Sequence, residues 1–185
     1  MKIFFDTEFT GLHKNTTLIS IGLIDKNDRS FYAEFTDYDL DQCDSWIKDN
    51  VINNLMFNHR SNFWINEVGK ETTCKGNKEF IREKLKNWLN YYDDIELVSD
   101  CCHYDMVLLI DLFNSALNTP FIPICHDINE DIANRYTYTL DNVNEAFDIG
   151  RESLLNTPIS GNKHNALYDA KVIKTLYEQF YDSAE

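Results

Sequence analysis

Asp6 and Glu8 stand two residues apart where an apolar stretch, Lys2 to Asp6, runs out into polar sequence. In an extended chain residues i and i+2 project from the same face, so both carboxylates can face one site. Two such charges about 4 Å apart repel by about 4 kcal/mol at an effective dielectric near 20 unless a proton or a cation lies between them. A divalent cation resolves this most directly, and held by carboxylates it supplies Lewis-acid chemistry.

Three further residues have types that suit such a site. Asp105 falls at the start of a predicted helix, where unpaired amides and the macrodipole favour negative charge. Asp169 lies in the last helical pattern, three residues after Ala166 and four before Ile173, and so sits at the edge of the apolar stripe. His164 precedes Asp169 by five residues, roughly 140° around a helix, and is therefore expected at the helix start or just before it. Near divalent cations its imidazole stays neutral and can act as a base. Taken singly, each acid also reads as a cap or a solvated charge, and the histidine as a surface or capping residue. The combination carries the reading.

The elements that must position these residues begin with three β-rich stretches, Lys2 to Asp6, Leu18 to Ile24 and Ser30 to Phe35, with Asn27-Asp28 as a tight turn between the last two. An antiparallel meander is expected. Cys43 to Leu55 reads as a helix with Trp46, Ile47, Val51 and Leu55 on one stripe and Asp44 or Asp41 as its N-cap. Met56 to Cys74 shows no clean period and reads as a long loop. Lys78 to Tyr91 has helical spacing, Ile95 to Ser99 is a short buried strand, and His103 to Leu117 is again helical. Pro120 and Pro123 then break the pattern around an extended piece, Phe121 to Cys125. Asp127 to Arg135 and Leu140 to Phe147 read as short helices, and Lys163 to Tyr181 as the C-terminal helix. A meander followed by alternating helices and strands predicts an α/β fold, a mixed sheet with helices packed on it in the ribonuclease-H-like layout.

Composition bounds the alternatives. At 185 residues, 43% hydrophobic and 14% aromatic, the chain is expected to form a single domain over residues 1–185 with its own core. The cysteines are Cys43, Cys74, Cys101, Cys102 and Cys125, an odd number without CxxC spacing or a leader pattern, so reduced thiols and a cytoplasmic location are expected. No apolar run approaches the roughly 20 residues that span a bilayer, so no membrane partner is expected. A net charge of -14 argues against a protein that coats duplex nucleic acid through released counterions. It leaves room for one that meets a few phosphates through bound cations and local basic residues; Arg135, Arg151, Lys163 and Lys171 are candidates for that path. Asp37, Asp39 and Asp41 mimic a calcium loop, but Gln42 and Lys48 replace its glycine and terminal glutamate. Cys101, Cys102 and His103 beside Cys125 and His126 lack zinc-finger spacing and read as buried thiols.

Together, Asp6-Thr7-Glu8-Phe9-Thr10-Gly11-Leu12, His103-Tyr104-Asp105 and His164-Asn165-Ala166-Leu167-Tyr168-Asp169 resemble the three motifs of the DEDDh class of 3′-to-5′ exonucleases. The stretches Leu18-Ile19-Ser20-Ile21-Gly22 and Ser45-Trp46-Ile47 are similar to the small RNase AS type of exoribonuclease. The resemblance implies a catalytic set of Asp6, Glu8, Asp105, His164 and Asp169, the four acids holding two Mg²⁺ or Mn²⁺ ions and His164 serving as general base. It also implies release of nucleoside 5′-monophosphates from a single-stranded RNA 3′ end, a preference for adenylate, and a homodimer. Phe9, Thr10 and Leu12 are the expected substrate-binding residues. A DNA-directed exonuclease of the same chemistry stays open at this point, as does a silent ribonuclease-H-like nucleic-acid-binding module.

Overall fold

The computed structural model describes residues 1–136 and 149–181. The three apolar runs pair as expected: β1 (Lys2–Phe9), β2 (Leu18–Asp25) and β3 (Ser30–Phe35) form an antiparallel meander. Every residue of β2 and β3 is buried, so these strands read as continuous apolar runs because both faces are covered. The stretch Met56 to Cys74, expected to be a loop, instead supplies β4 (Trp64–Val68) and most of β5 (Glu71–Gly76), an antiparallel hairpin turning at Gly69, whose φ is +59°. β4 is the sheet's edge and four of its five residues are exposed, so no buried face imposes the alternation that would have announced it. With β6 (Glu96–Ser99) and β7 (Cys125–Asp127) the described strands run in the order β4-β5-β3-β2-β1-β6-β7. The β1–β6, β6–β7 and β3–β5 pairs are parallel.

Helices cover both faces. On one, α2 (Lys78–Leu89) and α3 (Cys102–Leu112) bury Ile81, Leu85, Leu89, Leu108 and Leu109 against Ile3, Phe5, Ile21, Leu23 and Phe31. On the other, α4 (Ile128–Arg135) and α5 (Ala166–Tyr181) bury Ile128, Ile132, Ala170, Ile173 and Tyr177 against Phe4, Ile24 and Val98. Each fully buried aliphatic or aromatic side chain contributes about 1.5–3 kcal/mol. Alternation along β1 therefore decides the chemistry: Phe4 packs on the α5 layer, and Asp6 and Glu8 follow it on the same face.

The stretch from Cys43 to Leu55 is shorter as helix than expected, with α1 (Ser45–Asn50) followed by a 3-10 turn (Ile52–Asn54). Asp44 is its N-cap, accepting from the Ile47 amide at 2.8 Å. Ile47 and Val51 pack on Ile19, but Trp46, expected on the same stripe, is 52% exposed. α3 ends at Leu112, and the helical signal beyond it is a separate 3-10 turn (Ala116–Asn118). α5 starts at Ala166, so His164 precedes the helix. Gly22 in β2 lies opposite Asp6. A Cβ there would come within 2.3 Å of the Leu167 amide nitrogen and 2.4 Å of the Ala166 carbonyl carbon, so α5 meets β2 backbone to backbone. The helix expected from Leu140 to Phe147 lies outside the described residues.

Candidate active site

β6 pairs with β1 only from Lys2 to Phe4. The C-terminal half of β1, carrying Asp6 and Glu8, thus runs on past its parallel neighbour, and the turn from β6 into α3 occupies the freed edge. That turn brings Asp105, fully buried in the first turn of α3. Its carboxylate accepts from the Thr7 hydroxyl at 2.5 Å and from the Ser99 hydroxyl, which ties the second motif to the first. Asp169 occupies the first turn of α5. Both acids therefore lie where helix dipoles favour negative charge.

His164 sits in the turn before α5 with φ +62°, a left-handed conformation in which histidine is commoner than most residues. The Asn54 side-chain amide donates to the Lys163 carbonyl at 3.2 Å, and Trp46 meets the imidazole edge-on with ring centroids 4.9 Å apart. Nδ1 of His164 lies 3.9 Å from Oε1 of Glu8. Glu8, His164 and Asp169 form one group whose potential ligand atoms lie within 4.8 Å of one another, and Asp6, Asp100 and Asp105 form a second. The five residues named from sequence are thus brought together, Asp6, Glu8, His164 and Asp169 lining one cavity of about 590 Å³ with Asp105 buried beside it.

Such crowding is costly without countercharge. Burial, then the Asp105 and Glu8 charges, push Asp6 well above the ordinary carboxylate range; burial, then Asp169 and Asp105, do the same to Glu8. Asp105 and Asp169 are each pushed up to about 7, by burial first and by the Asp100 charge second. Burial lowers His164, assisted by Lys163. Oδ2 of Asp6 is buried with no hydrogen-bond partner among the described residues. An unpartnered buried carboxylate oxygen among other acids is a donor set for hard cations, so the residues present fit divalent metal ions.

The remaining expectations divide. Phe9 and Leu12 line the cavity; Phe9 stacks on Tyr104 at 5.2 Å and Leu12 is 75% exposed. Thr10 does not join them. It is buried in a polar knot, its hydroxyl donating to Gln42 at 2.6 Å and accepting from the Thr17 amide at 2.9 Å, and its side chain holds the turn that carries Phe9 and Leu12. Of the basic residues, Arg151 and Lys163 line the cavity, whereas Lys171 lines a different one and Arg135 is exposed on α4. Sequence reasoning missed Asp100, Glu152 and Trp46 as cavity residues. Asp100 follows β6 directly, at the carboxyl end of a parallel strand, and that position was the available signal.

A meander continued by parallel strands, with acids gathered at the carboxyl end of its first strand and helices on both faces, defines a ribonuclease-H-like α/β nuclease fold. The nuclease domain of 3′hExo, a DEDDh family member solved bound to rAMP, superposes with a TM-score of 0.68 at 13% identity, over 99% of this chain and 92% of that one. The family model described as the 3′-5′ exoribonuclease Rv2179c-like domain matches residues 1–181, and the chain belongs to that family. Among curated relatives, the 3′-5′ exoribonucleases Rv2179c and MT2234.1 of Mycobacterium tuberculosis strains H37Rv and CDC 1551 are each 30% identical over 122 residues. The match spans 65% of this chain and 66% of each relative's length.

Proposed function

We propose that the chain is a metal-dependent 3′-5′ exoribonuclease of the DEDDh type, acting as one domain over residues 1–185 and releasing nucleoside 5′-monophosphates from single-stranded RNA ends. The observation that carries the reading is the buried, unpartnered Asp6 Oδ2 at the centre of a converging set of carboxylates. Asp6, Glu8, Asp105 and Asp169 would hold two divalent cations, Mg²⁺ or Mn²⁺, which when bound supply charge stabilisation at the scissile phosphate and acidify water.

His164, kept neutral by burial, accepts the proton of the attacking water at Nδ1, the ring nitrogen that faces Glu8. The Trp46 ring and the Asn54–Lys163 contact hold the imidazole in that orientation. Phe9 offers a flat face already backed by Tyr104, and Leu12 an exposed apolar edge beside the cavity. A terminal base stacks on such a surface whatever its identity, which suits single strands. A net charge of -14 disfavours a long nucleic-acid track, so grip is confined to the last nucleotides.

RNA as substrate is supported by the Rv2179c-like exoribonuclease family, and a preference for adenylate is what the motif resemblance implies. The deciding assay follows 5′-labelled oligo(A), oligo(U) and single-stranded DNA with Mg²⁺ or EDTA. The expected result is a one-nucleotide ladder from the 3′ end, fastest on oligo(A) and abolished by EDTA. Internal fragments would overturn the exonuclease reading, and faster decay of DNA the choice of RNA. Light scattering on the purified protein tests the homodimer that the same resemblance implies.

A further inference from the structure

Three carboxylates that the four-acid scheme does not use also line the cavity: Asp44 caps α1, Glu152 lies 3.8 Å from Lys163, and Asp100 alone of the three joins the clustered potential ligands. Asp100 lies between the end of β6 and α3, with a carboxylate oxygen within 4.8 Å of those of Asp6 and Asp105. Left ionised and free, it would compete for any cation the other acids bind. It is not free: Arg151 Nε lies 2.6 Å from its Oδ2. The guanidinium is also held from a second side, where Nη2 donates to Asn129 Oδ1 at 2.6 Å, and Asn129 Nδ2 donates to the Asp100 carbonyl at 2.7 Å. Asn129 is buried at the start of α4, and Arg151 opens a 3-10 turn (Arg151–Leu154). The contacts thus run from the Asp100 carboxylate through Arg151 and Asn129 back to the Asp100 carbonyl, and they hold the guanidinium charge against that carboxylate.

Resting on the functional reading above, we propose that Arg151 is a positioning residue that withdraws Asp100 from the cation-binding set, so that two divalent ions are held by Asp6, Glu8, Asp105 and Asp169 alone. Charge counting supports the assignment. Five carboxylates are neutralised by two divalent cations and one guanidinium, whereas without the arginine one buried negative charge is left over. The role suggested by sequence, a direct grip of Arg151 on substrate phosphate, would fall to the N–H groups not turned to Asp100 and Asn129, and Nη1 donates to the Ile149 carbonyl at 3.4 Å.

The experiment is Mn²⁺ titration by calorimetry, without nucleic acid, of the wild type, R151Q, D100N and D100N/R151Q, together with steady-state kinetics on oligo(A). The wild type binds two ions. R151Q frees a carboxylate about 5 Å from the site, so Mn²⁺ binds at least about tenfold tighter at one position, while kcat falls and KM holds. D100N strands the guanidinium and weakens Mn²⁺ binding. In the double variant both effects cancel, affinity returning to within about threefold of wild type and kcat rising above that of R151Q. Unchanged Mn²⁺ affinity in R151Q with a raised KM would overturn the proposal in favour of a phosphate contact. Loss of one ion from both D100N and the double variant would overturn it by making Asp100 a ligand. If R151Q lacks a cooperative melt, the double variant decides: two ions at near wild-type affinity sustain the proposal, and one ion refutes it. A wild type that binds no Mn²⁺ removes the functional reading itself.

Discussion

Replacing Asp169 by Asn should stabilise the metal-free protein while abolishing its activity. Burial and the neighbouring Asp100 and Glu152 charges raise the Asp169 carboxyl to about 7, against an ordinary 3.8. The fold therefore favours its protonated form, and the contribution to stability is full below pH 4 and lost as pH rises toward 7. A shift of about three units at about 1.36 kcal/mol each means that ionised Asp169 destabilises the metal-free fold by about 4 kcal/mol at pH 8. Asparagine removes that penalty and loses about 1 kcal/mol of hydrogen bonding to the backbone at His164. The remaining gain of about 3 kcal/mol corresponds to a melting temperature about 6–12 °C higher for a chain of this size. The assay is thermal unfolding by circular dichroism in EDTA at pH 8 and pH 5, repeated at pH 8 with Mg²⁺. D169N should melt above wild type at pH 8 in EDTA, match it at pH 5, and fall below it once Mg²⁺ is added, because only the wild type then gains binding energy. A variant destabilised equally at both pH values, or a wild type indifferent to Mg²⁺, would refute the claim that carboxylate crowding is relieved by metal.

H164N should lower kcat by about 10²–10⁴-fold with KM little changed. Because burial lowers the His164 pKa, the wild-type rate should rise with pH through a limb lying below about 6.5, the ordinary histidine value; a pH–rate profile checks both, and a limb above that value would contradict the assigned environment. F9A removes the face backed by Tyr104 and should raise KM for oligo(A) by about 5–100-fold, read from initial rates. G22A forces a methyl group onto the α5 backbone and should cost at least about 1–3 kcal/mol, with activity falling further than thermal unfolding alone explains, since Asp169 and His164 move with that helix.

The parts of the fold that could be read from the sequence are those where burial imposes a period or a run. β2 and β3 are apolar throughout because both faces are covered, and α2 and α5 keep an apolar stripe because one face is. β4 has no such constraint; Ile65 and Val68 face solvent, and the hairpin is held by backbone pairing to β5, which leaves no mark on residue order. Trp46 shares a stripe with Ile47 by spacing yet leaves it in the fold, since helical spacing cannot distinguish a packing tryptophan from one turned toward a cavity. In the site, Asp6 and Glu8 follow from strand geometry, but Asp105 and Asp169 needed motif order, because their convergence depends on two long crossovers. Asp100 escaped notice because its meaning lies in Arg151 and Asn129, which arrive from other elements. The burial of Thr10 is not legible from its neighbours, because a hydroxyl one residue from Phe9 looks accessible until Gln42 and Thr17 close over it.

The contact between Gly22 and the first residues of α5 has a kinetic consequence. With no side chain between the two backbones, the spacing from β1 to Asp169 is set by peptide dimensions and has no rotamer through which to relax. The carboxylates are therefore already in position before any ion arrives. Loading should be single-exponential, limited by how fast an incoming aqua ion sheds water, and much slower for Mg²⁺, which dehydrates reluctantly, than for Mn²⁺.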